Sequence, residues 1–509
     1  MSRGMARGQA EGRGAAWLAA SLLLVFLGLS WVWQDIGFYD ETIYLASGAS
    51  VTPAAFWHGL ETGPLYGVWY HLLGLVCPDP VWRYFLSWGL LVSLLVLLPV
   101  LARARSAWLY ALVLLALPVF RIWPYVSLFA GLWLVLGLLW LRRRELTPGG
   151  AAVLALAVSA VAAFARSEHV YGVFAACLAL LMLALSGRTG LGRRSLAALL
   201  VLALALTAGL ACIQRASDSG RSGVAFAQHY NLRAAEQGLI ADDPWTSDYA
   251  LRVFHVDAGH NAATTTLPLG AYAKADPARF LGHVMTNLRD PRTLVLALLV
   301  LALSLWPWLR RDREQQAAGL YVLLVSLPPL AASLLIYPRY HYAVTLLPVL
   351  VLHAVALLRC ERWLPARHAR WLAALALLPM LVFALAPDLL AQRSLPSRPG
   401  LTAIGCLRTL ETERAGQGGL MLDPIGFPAT YLRQPWRRVG AQDFSGWPDF
   451  TRWLDTARPD WVLVTPGLAG HFGQSQAALD TWLTVAAGYL PRHCPAPSGL
   501  TVYVRGGNR

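Results

Sequence analysis

Residues 15–44, AAWLAASLLLVFLGLSWVWQDIGFYDETIY, join a long apolar run to a pair of adjacent acids. Ala15 to Trp33 is an apolar run of the length that crosses a bilayer, which takes about 20 residues as a helix. Arg3, Arg7 and Arg13 precede it and no small-residue cleavage site follows. The run is therefore expected to stay as a first membrane helix with its N-terminus in the cytoplasm. Directly after it comes Phe38-Tyr39-Asp40-Glu41-Thr42-Ile43-Tyr44. Adjacent carboxylates beside hydrocarbon are expensive, about 2.5–3.5 kcal/mol for an Asp at the bilayer centre. A loop that merely leaves a helix has no need of them, so they require a task or a partner.

The rest of the chain fits the membrane reading. It has 509 residues, 57% hydrophobic and 14% charged, with a mean hydropathy of +0.49. A soluble chain of this length would carry far more charge. The net charge of +14 is no nucleic-acid signal, because the charges sit in short loops between apolar runs, where they orient a membrane protein. Lys274 is the only lysine. Six cysteines are scattered without zinc-ligand spacing, and Cys177 and Cys212 fall in apolar runs as packing residues.

Apolar segments recur at 15–33, 81–102, 107–120, 122–141, 149–165, 169–186, 195–214, 292–309, 317–337, 341–358 and 370–387, the third being short for a bilayer. Arg103 and Arg105, Arg142 to Arg144, Arg188 with Arg193 and Arg194, Arg310 with Arg311 and Arg313, and the run Arg359 to Arg370 share one side, which is then cytoplasmic. About 11 transmembrane helices in a membrane domain of residues 1–390 leave the loops 34–80 and 215–291 outside. The second loop holds His229, Tyr230, Asn231, Asp257, His260, Lys274 and Asp276, and Pro268 to Leu288 reads as amphipathic helix lying at the interface. Residues 398–509 change character: a helix near 401–413, strands near 419–423 and 461–465, a helix near 475–488 and a strand near 500–504 predict a small outer α/β domain. Cys406 and Cys494 both lie in it; an oxidising compartment allows them to pair, and the sequence leaves that open.

Within the first outer loop, Asp40-Glu41 is followed by Trp57-His58, Glu61-Thr62-Gly63-Pro64-Leu65-Tyr66 and Pro78-Asp79-Pro80-Val81-Trp82-Arg83. A solvated acidic pair is the plain alternative. The order of parts, however, resembles the first outer loop of GT-C membrane glycosyltransferases, the protein O-mannosyltransferases and the bacterial lipid A aminoarabinose transferase. Those have an Asp-Glu pair after helix one, a Pro-Pro-Leu-like turn and an Arg opening helix two, matched here by Asp40-Glu41, Gly63-Pro64-Leu65 and Arg83 over about fifty residues. The resemblance implies a GT-C fold and transfer of a sugar from a polyprenyl-phosphate donor to a lipid, glycan or protein acceptor at the outer face, with inversion.

By that resemblance Asp40 is the catalytic carboxylate, and Glu41 its partner or an alternative base. The departing phosphate needs cations, and the Arg fork suits phosphate oxygens. Arg166-Ser167-Glu168-His169 looks like an Arg-x-Glu element of bacterial relatives, and Tyr337-Pro338-Arg339-Tyr340-His341-Tyr342 resembles the Arg-Tyr segment before a late helix. Arg339, Arg166, Glu168, His169, Tyr340, His341, Arg83 and Lys274 are thus the expected donor-binding residues, with Arg121 a further candidate. A self-satisfied ion pair at 166–168 and an aromatic belt at 337–342 are the simpler readings. Many relatives carry a Lys just before the Pro-Pro-Leu turn where this chain has Thr62-Gly63, and Lys274 is a candidate substitute. His229, His255, His260 and His283 match no zinc spacing, so no cofactor is required, although a divalent cation stays possible. No nucleic acid, nucleotide sugar or ATP motif is indicated.

The expected setting is a bacterial inner membrane. A transporter or flippase of lipid-linked sugars would place ionisable groups at mid-bilayer, where this chain has few. An O-antigen ligase or polymerase would rely on Arg and His of a large outer loop, and a non-catalytic scaffold would dispense with Asp40.

Overall fold

A computed structural model describes residues 2–38, 40–49, 51, 63–102, 107–117, 120, 125–187, 197, 201, 203, 205, 208–209, 221–241, 243–256, 262, 265, 267–336, 343–360, 398–414, 418–424, 426 and 428–506. Helix α1 (Ser2–Trp33) carries the first apolar run. Among its described residues, the connection over 34–80 is largely helical. It holds α2 (Asp40–Ala49) and α3 (Pro64–Val76), the latter opened by a Pro whose missing N–H costs nothing in the first turn. Helix α4 (Pro80–Leu101) begins at Asp79, whose carboxylate accepts the N–H groups of Val81 and Trp82.

The membrane layer continues with α5 (Ala107–Ala116), α6 (Val126–Arg144), α7 (Pro148–Ala163), a 3-10 turn at Ser167–His169 and α8 (Val170–Leu185). An outer layer follows, made of α9 (Arg221–Glu236), α10 (Tyr249–Val253), α11 (Leu269–Ala275) and α12 (Pro277–Arg289). The chain then returns through α13 (Pro291–Leu309), α14 (Arg313–Leu335) and α15 (Leu347–Cys360). Among the described residues five helices are long and apolar enough to cross a membrane, and four shorter apolar helices accompany them. They fall on the expected segments except two: 195–214 is described only at scattered helical positions, and 370–387 lies outside the described residues.

Lipid offers no hydrophobic drive between helices, so close packing has to hold them together. At Gly137 of α6 a Cβ would meet the Tyr321 hydroxyl of α14 at 2.1 Å, and that hydroxyl donates to the Leu134 carbonyl at 2.8 Å. The outer layer has its own small core of Phe226, Leu251, Phe254 and Tyr272. On α12, Leu281, Met285 and Leu288 are exposed on one face while His283 and Asn287 are buried on the other, which is the amphipathic arrangement expected for this stretch.

The C-terminal unit is a three-layer α/β arrangement. It comprises α16 (Pro399–Glu413), β1 (Leu420–Asp423), β2 (Arg437–Gly440), α17 (Trp447–Ala457), β3 (Trp461–Val464), α18 (Leu468–His471), α19 (Gln476–Thr481), β4 (Tyr489–His493) and β5 (Thr501–Arg505). The sheet runs β2-β1-β3-β5-β4, with β1 parallel to both its neighbours and β5 antiparallel to both of its own. Alternation assigns the faces: Met421, Trp461 and Leu463 pack on α16, while Leu422, Val462 and Val464 pack on α17 and α19. The central strand β3, buried on both faces, therefore reads as a continuous apolar run. Cys406 and Cys494 form a disulfide with Cα atoms 5.6 Å apart.

Candidate functional site

Asp40 and Glu41 open α2, and the helix sends them to different surroundings. Asp40 is half-buried. Glu41 is 1% exposed, and its carboxylate accepts three hydrogen bonds: from the Tyr66 and Tyr70 hydroxyls at 2.6 and 2.5 Å, and from the Tyr125 N–H at 2.6 Å. Burial pushes the Glu41 carboxyl up to about 7, the hydrogen bonds from Tyr66, Tyr70 and Tyr125 pull against that, and neighbouring Asp40 adds to it. A carboxylate so enclosed and so fully bonded can position α2; it has no open side for a substrate.

Tyr66 and Tyr70 stand one helical turn apart on α3, so a single glutamate reaches both. The two helices are drawn close at Gly48, where a Cβ would lie 2.5 Å from the Cβ of Tyr70. The Gly63-Pro64-Leu65 turn docks on the end of α7. The Leu65 N–H donates to the Phe164 carbonyl at 2.9 Å, and a Cβ on Gly63 would sit 2.3 Å from that oxygen and 2.5 Å from the Ala165 carbonyl carbon. Position 63 is therefore a glycine for a backbone reason, and it brings the turn against the residue preceding Arg166.

Arg166 bonds the Ser127 hydroxyl and pairs with Glu168, both at 2.5 Å, with side chains 11% and 17% exposed. His169 is 0% exposed, and neither ring nitrogen has a hydrogen-bond partner among the described residues. Arg83 serves the α3–α4 corner, where it donates to the carbonyls of Cys77 at 3.0 Å and Pro78 at 2.8 Å. Lys274 is exposed on α11. Arg339, Tyr340 and His341, like Arg121, His58, Glu61, Asp257 and His260, lie outside the described residues.

A cleft of about 290 Å³ in the outer layer is lined by Tyr230, Arg233, Tyr249, Arg279, His283 and Thr286. Its cations are engaged within the layer: Arg233 with Asp290 at 2.9 Å and Glu236 at 2.6 Å, Arg279 with Asp276 at 3.1 Å. Burial pushes His283 down to about 4, so it is neutral. A shallower hollow of about 530 Å³ over Ala478, Trp482 and Val485 brings no ionisable group and lies on the α/β unit.

Sequence reasoning did not find how the C-terminal unit meets α2. Asp35 caps α16 by accepting the N–H groups of Gly400 at 2.8 Å and Leu401 at 2.9 Å, while Arg398 donates to the carbonyls of Gln34 and Trp31 at 2.8 and 2.9 Å. Arg408 pairs with Asp79 at 2.9 Å and donates to the Tyr431 carbonyl at 2.8 Å. The Tyr431 hydroxyl lies 2.7 Å from the Thr42 hydroxyl. For the enclosure of Glu41, by contrast, a signal was available in Tyr66 and Tyr70 on an apolar helix, since buried phenols require partners.

No family model matches the chain, and no curated protein matches it. Among solved structures it is similar to ArnT from Cupriavidus metallidurans in the apo state, with a TM-score of 0.50 and 15% identity, over 97% of this chain and 99% of that chain. The likeness runs nearly end to end and is one of fold.

Proposed function

We propose that this chain is an integral-membrane glycosyltransferase that moves a sugar from a polyprenyl-phosphate donor to an acceptor hydroxyl or phosphate on the outer face of the membrane. One observation carries the reading: in a fold similar to ArnT, an aspartate opens a short helix braced by a buried glutamate. In the reaction the acceptor oxygen attacks the anomeric carbon as the bond from that carbon to the phosphate oxygen breaks. The electron pair leaves on the polyprenyl phosphate, the acceptor proton passes to the Asp40 carboxylate, and backside attack inverts the configuration. Charge developing on the phosphate asks for cations, and Arg166 stands where the first outer turn docks. Arg339, Tyr340 and His341 are assigned to the same phosphate on their sequence pattern alone. Glu41 holds α2 in place. The basic loops put the N-terminus in the cytoplasm, and the Cys406–Cys494 disulfide suits an outer, oxidising compartment for the α/β unit.

The test is purified protein in proteoliposomes with a radiolabelled polyprenyl-phosphate sugar and an envelope-lipid extract. Label leaving the donor into a new product, with polyprenyl phosphate released in equal amount, is the expected result. Label that crosses the bilayer on intact donor would replace this reading with a flippase.

A further inference from the structure

We propose that the C-terminal α/β unit is a positioning element for the catalytic helix, acting through the hydroxyls of Tyr431 and Thr42; this rests on the transferase reading above. Tyr431 is 0% exposed and closes the 3-10 turn Pro428–Tyr431. Thr42 is also 0% exposed and sits two residues after Asp40. The Thr42 hydroxyl donates its single proton to the Gly37 carbonyl at 2.7 Å. The second contact, 2.7 Å to the Tyr431 oxygen, must then run the other way, with Tyr431 donating. Gly37 is held from its other side too, because its N–H donates to the Tyr84 hydroxyl of α4. The Tyr431 ring packs edge-on against Phe38 at 6.0 Å and Tyr84 at 6.4 Å. The segment that delivers the chain from α1 into Asp40 is thus also held by a side chain 389 residues away in sequence.

The tyrosine is itself fixed. Arg408 holds its carbonyl and, with the same guanidinium, Asp79 at the start of α4. Arg408 lies on α16, which the Cys406–Cys494 disulfide ties to the sheet and Asp35 caps. The ring of contacts closes at Gln34, which accepts from Arg398 and donates through its side chain to the Tyr125 hydroxyl, while the Tyr125 N–H goes to Glu41. Glu41 therefore ties α2 to the membrane helices and Thr42 ties it to the α/β unit. Asp40 immediately precedes both restraints.

The experiment uses the full-length protein in membranes or detergent with Tyr431→Phe, Thr42→Val and the conservative Thr42→Ser. Hydrogen exchange over residues 40–49 reads the positioning without any substrate. The first two variants are expected to exchange about five- to tenfold faster there, the worth of one buried hydrogen bond, with Thr42→Ser near wild type. In the transfer assay kcat should fall by a similar factor in Tyr431→Phe and Thr42→Val, with the KM for donor unchanged and Thr42→Ser retaining activity. Unchanged exchange over 40–49 in Tyr431→Phe overturns the inference, as does a full kcat in both hydroxyl-deleting variants of a protein that transfers sugar. A protein that transfers no sugar while exchange rises as expected would sink the transferase reading and leave the coupling standing.

Discussion

Glu41 and Asp40 are neighbours in sequence and opposites in circumstance. The pair was legible as costly and purposeful, but which member is enclosed depends on the register of α2, and a loop reading gives no register. The structure makes the difference visible through Tyr66, Tyr70 and Tyr125, all of which donate to Glu41. Because the Glu41 carboxyl is raised from 4.5 to about 7 in the fold, the folded state favours its protonated form. Its contribution is complete below about 4.5 and is lost as pH rises through about 7, about 3 kcal/mol in all. Thermal unfolding in detergent should show the wild-type midpoint falling relative to that of Glu41→Gln as pH rises across that window; parallel curves would remove Glu41 as a titrating group. For the candidate donor-binding residues the sequence supplied names in advance of geometry. Arg166 and Glu168 do meet, and Arg83 serves a helix corner.

Among the elements, the long apolar helices were readable because nothing in a sequence competes with a run of about twenty apolar residues. The short helices α2 and α3 were not, since ten and thirteen residues fall below spanning length and are marginal by local propensity alone. In the α/β unit β1, β3, β5 and α16 fell where alternation and periodicity put them. Strands β2 and β4 escaped notice: β2 is four residues with two arginines, and β4 is an exposed edge strand interrupted by Pro491. The Gly63 turn makes a prediction at this scale. A methyl there meets carbonyl groups of Phe164 and Ala165 that cannot rotate away, so Gly63→Ala should cost about 1–3 kcal/mol by overpacking. A thermal midpoint equal to wild type would show that the turn does not dock on α7 as described.

For the molecule as a whole, the membrane helices and the α/β unit could each be inferred from composition, but their joint could not. It is built from isolated polar residues, Asp35, Asp79, Arg398, Arg408 and Tyr431, whose partners lie hundreds of residues away. Replacing Arg408 by alanine removes its ion pair with Asp79 and its bond to Tyr431 together, about 1–3 kcal/mol of docking. Limited proteolysis should then release the C-terminal unit faster than from wild type, and an unchanged rate would contradict the joint. In the proposed reaction Asp40 acts on substrate while Glu41 only holds it in place. Sugar transfer from a radiolabelled polyprenyl-phosphate donor, compared between Asp40→Asn and Glu41→Gln at matched expression, tests this most directly. Transfer is expected to fall to background in Asp40→Asn and to stay within about tenfold of wild type in Glu41→Gln. Wild-type transfer by Asp40→Asn would contradict it.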